Sequence, residues 1–367
     1  MKFKLSREDL LKPLQFISGV VEKRPTLPVL SHLLLQIRRD KLVLVGTDLE
    51  VELRANLNIE SEEEADITLP ARKFNDICRS LPEGSQLEIS IQDGKAVLRS
   101  GKSRFTLATL PATEFPLTDD LAGSFQLQLA QGKLKDLLER TAFCMAIQDV
   151  RYYLNGLLLE MKQGQLRTVS TDGHRLALSE LEFSELAAED RQVIIPRKSV
   201  SELMRLLDDS ETALCELVLS SNQVQIQMDS MVLTSKLIDA RYPDYERVIP
   251  SSTEQHISAN RSDLLHALQR TAILSNEKYR VIRLQFSNNL LRATVNNPEQ
   301  ETAEEEIIVD YVGSEFEIGF NVAYLLDVLG TIKEDQVVLN LTGSSSSCLL
   351  HGYENTASRY VVMPMRL

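Results

Sequence analysis

Three stretches of this chain can be laid on one another without a gap. Leu35–Asp48 (LQIRRDKLVLVGTD), Leu159–Asp172 (LEMKQGQLRTVSTD) and Leu284–Asn297 (LQFSNNLLRATVNN) match at offsets of 124 and 125 residues. Such a period constrains the fold strongly, because whatever one copy forms the others should form too. In each copy apolar and polar residues alternate on both sides of a turn pair: Arg39-Asp40, Gln163-Gly164 or Asn288-Asn289. Such pairs favour tight hairpins because they tolerate positive φ.

The agreement extends in both directions. Amphipathic helix candidates precede the hairpins at Arg7–Val21, Gly132–Met145 and Arg261–Leu274, with leucines at helical spacing. A second helix follows each hairpin. Its apolar positions are Phe74, Ile77, Cys78 and Leu81, then Val200, Leu203, Met204 and Leu207, then Leu325, Val328, Leu329 and Ile332, all at i, i+3, i+4, i+7. More strands close each copy, clearest in LEISIQDGKAVLRS with its Asp93-Gly94 hairpin signal. Each copy therefore reads as two helices plus about eight strands, an α+β unit. Periodicity lapses at LTDDLAGS (117–124) and PSSTEQ (250–255), which predicts three domains over 1–122, 123–252 and 253–367.

The formal net charge is −13, which argues against a uniformly basic nucleic-acid binder. The charge is nevertheless segregated. Segments 7–24, 72–81, 133–140, 197–207, 261–271 and 322–333 together carry +7, leaving −20 for the rest. If these helices share a face, that face suits a phosphate backbone while the remaining surface repels it. The alternative is that the lysines and arginines merely solvate ordinary helix faces. Acidic residues collect at Glu60–Asp66 and Glu299–Glu306, whereas the strand carrying Arg99, Lys102 and Arg104 is basic. One chain thus has complementary ends, which favours head-to-tail association.

Several chemistries lack their motifs. Cys78, Cys144, Cys215 and Cys348 form no CxxC pair, and the five histidines show neither HxxxH nor HExxH spacing. Ser100-Gly101-Lys102-Ser103 misses a phosphate loop because Ala96 stands where the first glycine belongs. No metal or other cofactor is expected. No apolar run approaches the roughly 18 residues of a membrane span, and MKFKLSRED lacks a signal peptide's apolar stretch, so a cytoplasmic, membrane-independent protein is expected. Asp172 and His174 beside Ser170 or Thr171 suggest an acid-base pair with a nucleophile. The other copies put Glu50 and Glu299 at the histidine's place, and no oxyanion donors are evident, so no enzyme is expected.

The strings GTDLEVE, LPARKF, QDVRYYLNG, STDGHRLA, RYPDYERVIP, ILSNEKYR, NNPEQE, EIGFNV and YVVMPMRL resemble, from end to end, the bacterial sliding clamps, β subunits of DNA polymerase III. The resemblance implies a processivity factor: a head-to-tail homodimeric ring with helices lining the hole. Such a ring encircles duplex DNA without sequence preference, is opened by a clamp loader, and tethers polymerases and repair proteins. The family's DNA-facing positions fall on Arg24, Gln148, Tyr152 and Tyr153, and the lining helices add Arg72, Lys73, Arg79, Arg197, Lys198 and Arg205.

The resemblance also implies a pocket for partner peptides. It falls on Leu154, Thr171, Gly173, His174, Arg175, Leu176, Pro243, Arg247, Val248, Asn321, Tyr324, Ser345, Val361, Val362, Met363, Pro364, Met365 and Arg366. Methionines at such a site adapt to varied apolar side chains, and arginines bond peptide carboxylates or carbonyls. At the dimer contact, Lys73, Arg99, Lys102, Arg104 and Leu107 are expected to face Ile273, Leu274, Glu299, Glu301, Glu304 and Glu305 of the other subunit. The rival reading is a repeat-built scaffold that binds proteins without circling DNA.

Overall fold

The computed structural model describes residues 2–22, 26–61, 63–92, 94–118, 121, 125–183, 190–250, 254–276, 278–343 and 345–367. The first copy forms β1 (Lys2–Ser6), α1 (Arg7–Val20), β2 (His32–Ile37), β3 (Lys41–Thr47), β4 (Val51–Asn58), β5 (Ala65–Pro70), α2 (Ala71–Ser80), β6 (Gln86–Gln92), β7 (Lys95–Ser100) and β8 (Ser103–Ala108). The second forms β9 (Phe125–Ala130), α3 (Gln131–Thr141), β10 (Gly156–Lys162), β11 (Gln165–Thr171), β12 (Arg175–Glu182), β13 (Arg191–Pro196), α4 (Arg197–Leu206), β14 (Leu214–Leu219), β15 (Gln223–Met228) and β16 (Met231–Lys236). The third forms β17 (Gln255–Asn260), α5 (Arg261–Ala272), β18 (Val281–Ser287), β19 (Leu290–Asn296), β20 (Thr302–Ile308), β21 (Phe316–Asn321), α6 (Val322–Thr331), β22 (Gln336–Leu341), β23 (Cys348–Gly352) and β24 (Ser358–Val362).

Among the described residues each copy thus yields eight strands and two helices in one order. Helices α1, α5 and α6 begin at polar caps: the Ser6 and Asn260 side chains accept from the backbone amides of Asp9 and Asp263, and Asn321 from that of Ala323, whereas α2 follows Pro70, which offers no side-chain cap. Each such cap satisfies an amide with no partner inside its helix, worth about 1 kcal/mol. The first helix of each copy ends one to four residues before the expected Val21, Met145 and Leu274. After α3 the chain tightens into a 3-10 turn at Ala142–Cys144, and α5 stops at Ala272. In the hairpins Gln163, Gly164 and Asn289 take positive φ.

Two compact units cut across the copies. One unit comprises 1–135 with 198–237, and the other 136–197 with 238–367, so the middle copy contributes to both. In the first unit an antiparallel sheet runs β5-β2-β3-β4-β16-β15-β14-β9, beside a four-stranded sheet β1-β6-β7-β8. Its seam is β4 against β16, with Leu53 opposite Leu233 and Arg54 opposite Val232. In the second unit the sheets are β13-β10-β11-β12-β24-β23-β22-β17 and β20-β19-β18-β21, and the seam is β12 against β24. Helix faces chosen by the apolar period are the buried ones: Leu10, Leu14, Ile17, Phe74 and Cys78 in the first unit, Leu264, Leu268, Leu325, Val328 and Leu329 in the second. Fully burying a leucine or phenylalanine contributes about 1.5–3 kcal/mol, so these stripes hold helix to sheet.

Candidate functional site

The site is built around a turn that the sequence writes twice. In Thr171–Arg175 the Thr171 hydroxyl donates to the Arg175 carbonyl (2.6 Å) and accepts from the Gly173 amide, while Asp172 Oδ1 accepts from the amides of His174 and Arg175. In the first copy Thr47 and Asp48 make the same four bonds to Val51, Leu49 and Glu50. The third turn position is left-handed in both, φ 89° at Gly173 and 76° at Leu49. A leucine there is strained, and a Cβ on Gly173 would lie 2.9 Å from the Arg151 guanidinium, so glycine lets that arginine close over the turn. The Thr171 hydroxyl and Asp172 Oδ1, weighed as catalytic groups, are thus bonded to backbone, and Asp172 Oδ2 pairs with the Arg175 side chain. Ser170 likewise donates to the Thr141 carbonyl, and among the described residues no group of three or more potential ligands that could hold a metal ion occurs.

Beside this turn lies an apolar cavity of about 290 Å³ within the second unit. Of the expected pocket residues it gathers Leu154, Thr171, Gly173, Arg175, Leu176, Pro243, Val248, Val361 and Met363. Its base is a cluster in which Leu158, Val169, Leu176, Leu178, Tyr242, Tyr245 and Val361 are buried. The wall also contains Arg151, Asp244 and Tyr245, which the expected set leaves out although Asp244 and Tyr245 lie in the string RYPDYERVIP. Tyr153, grouped by resemblance with DNA-facing positions, lines this cavity and packs on the cluster, whereas Tyr152 is 58% exposed.

Arg175 is turned into the protein: its guanidinium meets Asp327 at 2.5 Å and Asp172 at 3.1 Å, donates to the Phe143 carbonyl, and lies 4.6 Å from the Tyr324 ring centroid. The Tyr324 ring stacks on His174, and Asn321 caps α6. Arg247 is exposed and pairs with Asp244 at the surface. In the tail, Val361 and Val362 are buried in β24, the Met363 amide donates to the His174 carbonyl, and the Met365 amide to that of Gly319. Pro364 and Met365 are half-buried, while Met363, Arg366 and Ser345 are exposed.

The basic residues divide by what holds them. Arg72, Lys73 and Arg79 stand exposed on α2. Lys198 is drawn to Asp48 and the Val20 carbonyl, Arg197 donates to the Met145 carbonyl, and Arg205 pairs with Glu202. Gln148 is exposed with a positive φ, and Arg24 lies outside the described residues.

The four-stranded sheets end in β8 and β20. On β8 Arg104 is exposed and Leu107 buried, and Arg99 and Lys102 lie exposed nearby. On β20 Glu305 pairs bidentately with Arg270, and Glu304 lies 3.4 Å from Arg292. Glu299 and Glu301 are exposed in the preceding turn, Ile273 is 78% exposed beyond α5, and Leu274 is half-buried.

Family models for the DNA polymerase III beta subunit match the chain in three parts: the N-terminal domain over residues 1–119, the central domain over 128–244 and the C-terminal domain over 246–366. The chain is 52% identical over 369 residues to the Beta sliding clamp of Pseudomonas aeruginosa and 48% identical over 368 residues to that of Escherichia coli strain K12, with 100% of each chain covered. A crystal structure of the P. aeruginosa sliding clamp bound to griselimycin matches with a TM-score of 0.97 at 51% identity, again covering 100% of both chains.

Proposed function

This chain belongs to the DNA polymerase III β-subunit family, and from that premise we propose that two copies close head to tail into a ring that encircles duplex DNA and tethers polymerases. The observation that carries the reading is the inventory of strand edges. Repeat correspondence makes β4, β12 and β20 equivalent, and likewise β16, β24 and β8. Within the chain β4 pairs with β16 and β12 with β24, both antiparallel, leaving β20 and β8 as sheet edges. Joining β8 of one copy to β20 of the other makes a third seam of the same kind and an eight-stranded sheet like the other two.

The internal seams also supply a register. The turn Ser100–Ser103 matches Met228–Met231, so Arg104 takes the place of Val232; the pair Thr294 and Glu304 matches Val45 and Arg54, so Glu304 takes the place of Arg54. Since Arg54 faces Val232, Arg104 of one copy faces Glu304 of the other, and Leu107 comes opposite Glu301. Exposed edges otherwise invite indiscriminate pairing, and opposite charges select this partner.

In this reading each copy supplies three domains, residues 1–122, 123–252 and 253–367, and the chain is a non-catalytic accessory subunit loaded by a clamp loader. Exposed Arg72, Lys73, Arg79 and Arg205 meet phosphates without reading bases, while Arg197 and Lys198 act chiefly in holding elements together. The cavity beside Gly173 takes short partner peptides, and the griselimycin to which the solved P. aeruginosa clamp is bound is assigned here to the same cavity. Among the described residues no helix is long and apolar enough to cross a membrane. The proposed site of action is cytoplasmic, where a clamp on bacterial DNA works.

The test is retention on nicked circular DNA at high salt, after loading with a clamp loader and ATP. Salt removes phosphate contacts but not linkage. Retention on circles with loss on linearisation is expected; equal loss from both forms, with the loader active on another clamp, overturns encirclement and leaves the scaffold reading.

A further inference from the structure

The wall of the pocket formed by residues 242–248 is a strap with a cavity on either side. In front lies the apolar pocket; behind lies a polar cavity of about 160 Å³ bordered by Glu160, Lys162, Gln192 and Arg241. Tyr245 spans the strap. Its ring is buried in the pocket's apolar cluster, and its hydroxyl donates through to Glu160 Oε2 at 2.5 Å.

Glu160 is itself an oddity, a 9% exposed carboxyl on a strand whose first six residues are all buried. Burying such a group is costly without a partner. Arg167 stands 3.7 Å away and is in turn held by Glu180 at 2.8 Å, which Arg359 also meets at 2.9 Å, so the carboxyl sits on a fixed base in the sheet. Apart from Tyr242, whose ring is buried in the same cluster, the strap's remaining ties are at the surface. Lys162 and Arg167 reach Glu246 at 3.0 and 3.5 Å, but the glutamate side chain is 53% exposed, and such pairs hold weakly. Its 3-10 turn closes on itself through Ile249 and the Glu246 carbonyl. Burial and the Glu160 carboxyl keep the Tyr245 phenol protonated, so the hydroxyl stays a donor.

We propose that Glu160 is a positioning residue for partner binding: through the Tyr245 hydroxyl it latches the 242–248 strap to the sheet and so keeps the pocket open in the form a ligand fits. This rests on the reading that the pocket takes partners. An unlatched strap populates other conformations, and apparent affinity falls by the fraction of chains still competent.

The experiment measures fluorescent griselimycin by polarisation on the full-length chain, with hydrogen exchange of 242–248 in the unliganded protein. Tyr245→Phe removes the hydroxyl and leaves the ring, so affinity should fall about 5- to 10-fold and exchange in the strap should rise. Glu160→Ala should do the same, and Glu160→Gln, which keeps an accepting oxygen, should restore most of the binding. Wild-type affinity and wild-type exchange in Tyr245→Phe would overturn the latch, as would a Glu160→Gln variant no better than Glu160→Ala. Absence of griselimycin binding by the wild type would instead count against the pocket reading, while the exchange comparison still decides the latch.

Discussion

Reversing one charge at the β8 edge tests the third seam directly. In the transferred register Arg104 faces another copy's Glu304 across an antiparallel pair. Opposite charges so placed contribute about 0.2–1 kcal/mol. Glu304 already lies 3.4 Å from Arg292 in its own chain, so the lower half of that range applies, about 0.5 kcal/mol. Arg104→Glu loses this term and adds a like-charge term of similar size, about 1 kcal/mol per seam. A closed dimer has two such seams, so the total is about 2 kcal/mol, or roughly 30-fold in the dimer dissociation constant. Sedimentation velocity across a dilution series reads this out, and the effect should shrink as salt is raised. The double variant Arg104→Glu with Glu304→Arg restores the pair and should recover most of the loss. Arg38→Glu, at the Asp66 pair away from either edge, should leave dimerisation unchanged. If the single variant dimerises like the wild type, or the double one no better than the single, the register is wrong.

Other outcomes follow from groups already described. Arg175→Ala removes contacts to Asp172, Asp327 and the Phe143 carbonyl; with Asp327 half-exposed the loss is about 2 kcal/mol, a fall of about 4–8 °C in the calorimetric transition of the second unit, and a shift under 1 °C would refute it. Burial raises the Cys78 and Cys215 thiols to about 12 and about 11 and pushes Cys144 and Cys348 up as well, so all four stay protonated at pH 8. A thiol reagent should label none in the native protein and all four after unfolding, and rapid native labelling would contradict this. Asp149, bonded by the Arg151 side chain and amide, is depressed to about 2 from 3.8. Its loop contact is therefore fully present above pH 3.8 and lost only as pH falls through about 2; a carboxyl-carbon NMR titration centred near 4 would refute it.

The repeat, the helices and the hairpins were legible because they rest on local periodicity. The seams were not, since alternation marks Leu53 and Leu233 as strand residues without saying that they face each other. Charge counting had a similar blind spot. Lys198 counts toward a basic lining just as Arg72 does, yet Asp48 meets it within the chain. At the pocket, Thr171 and Asp172 were readable as a repeated turn, but the inward course of Arg175 depends on Asp327, 152 residues away. Tyr245 escaped notice because its contact with Glu160 joins a loop to a strand that nothing in the spacing relates.

The division of the middle copy between two compact units has an evolutionary consequence. Residues 123–252 hold half the strands of each eight-stranded sheet: β9 and β14–β16 of one, β10–β13 of the other. Excising them would leave two half-sheets with newly bared edges, not a shorter version of the same protein. Selection on such a chain cannot trade copies in and out like beads on a string. The transferable module is the joint, an edge carrying the register its partner reads, and the copy number can change only when every joint finds a mate.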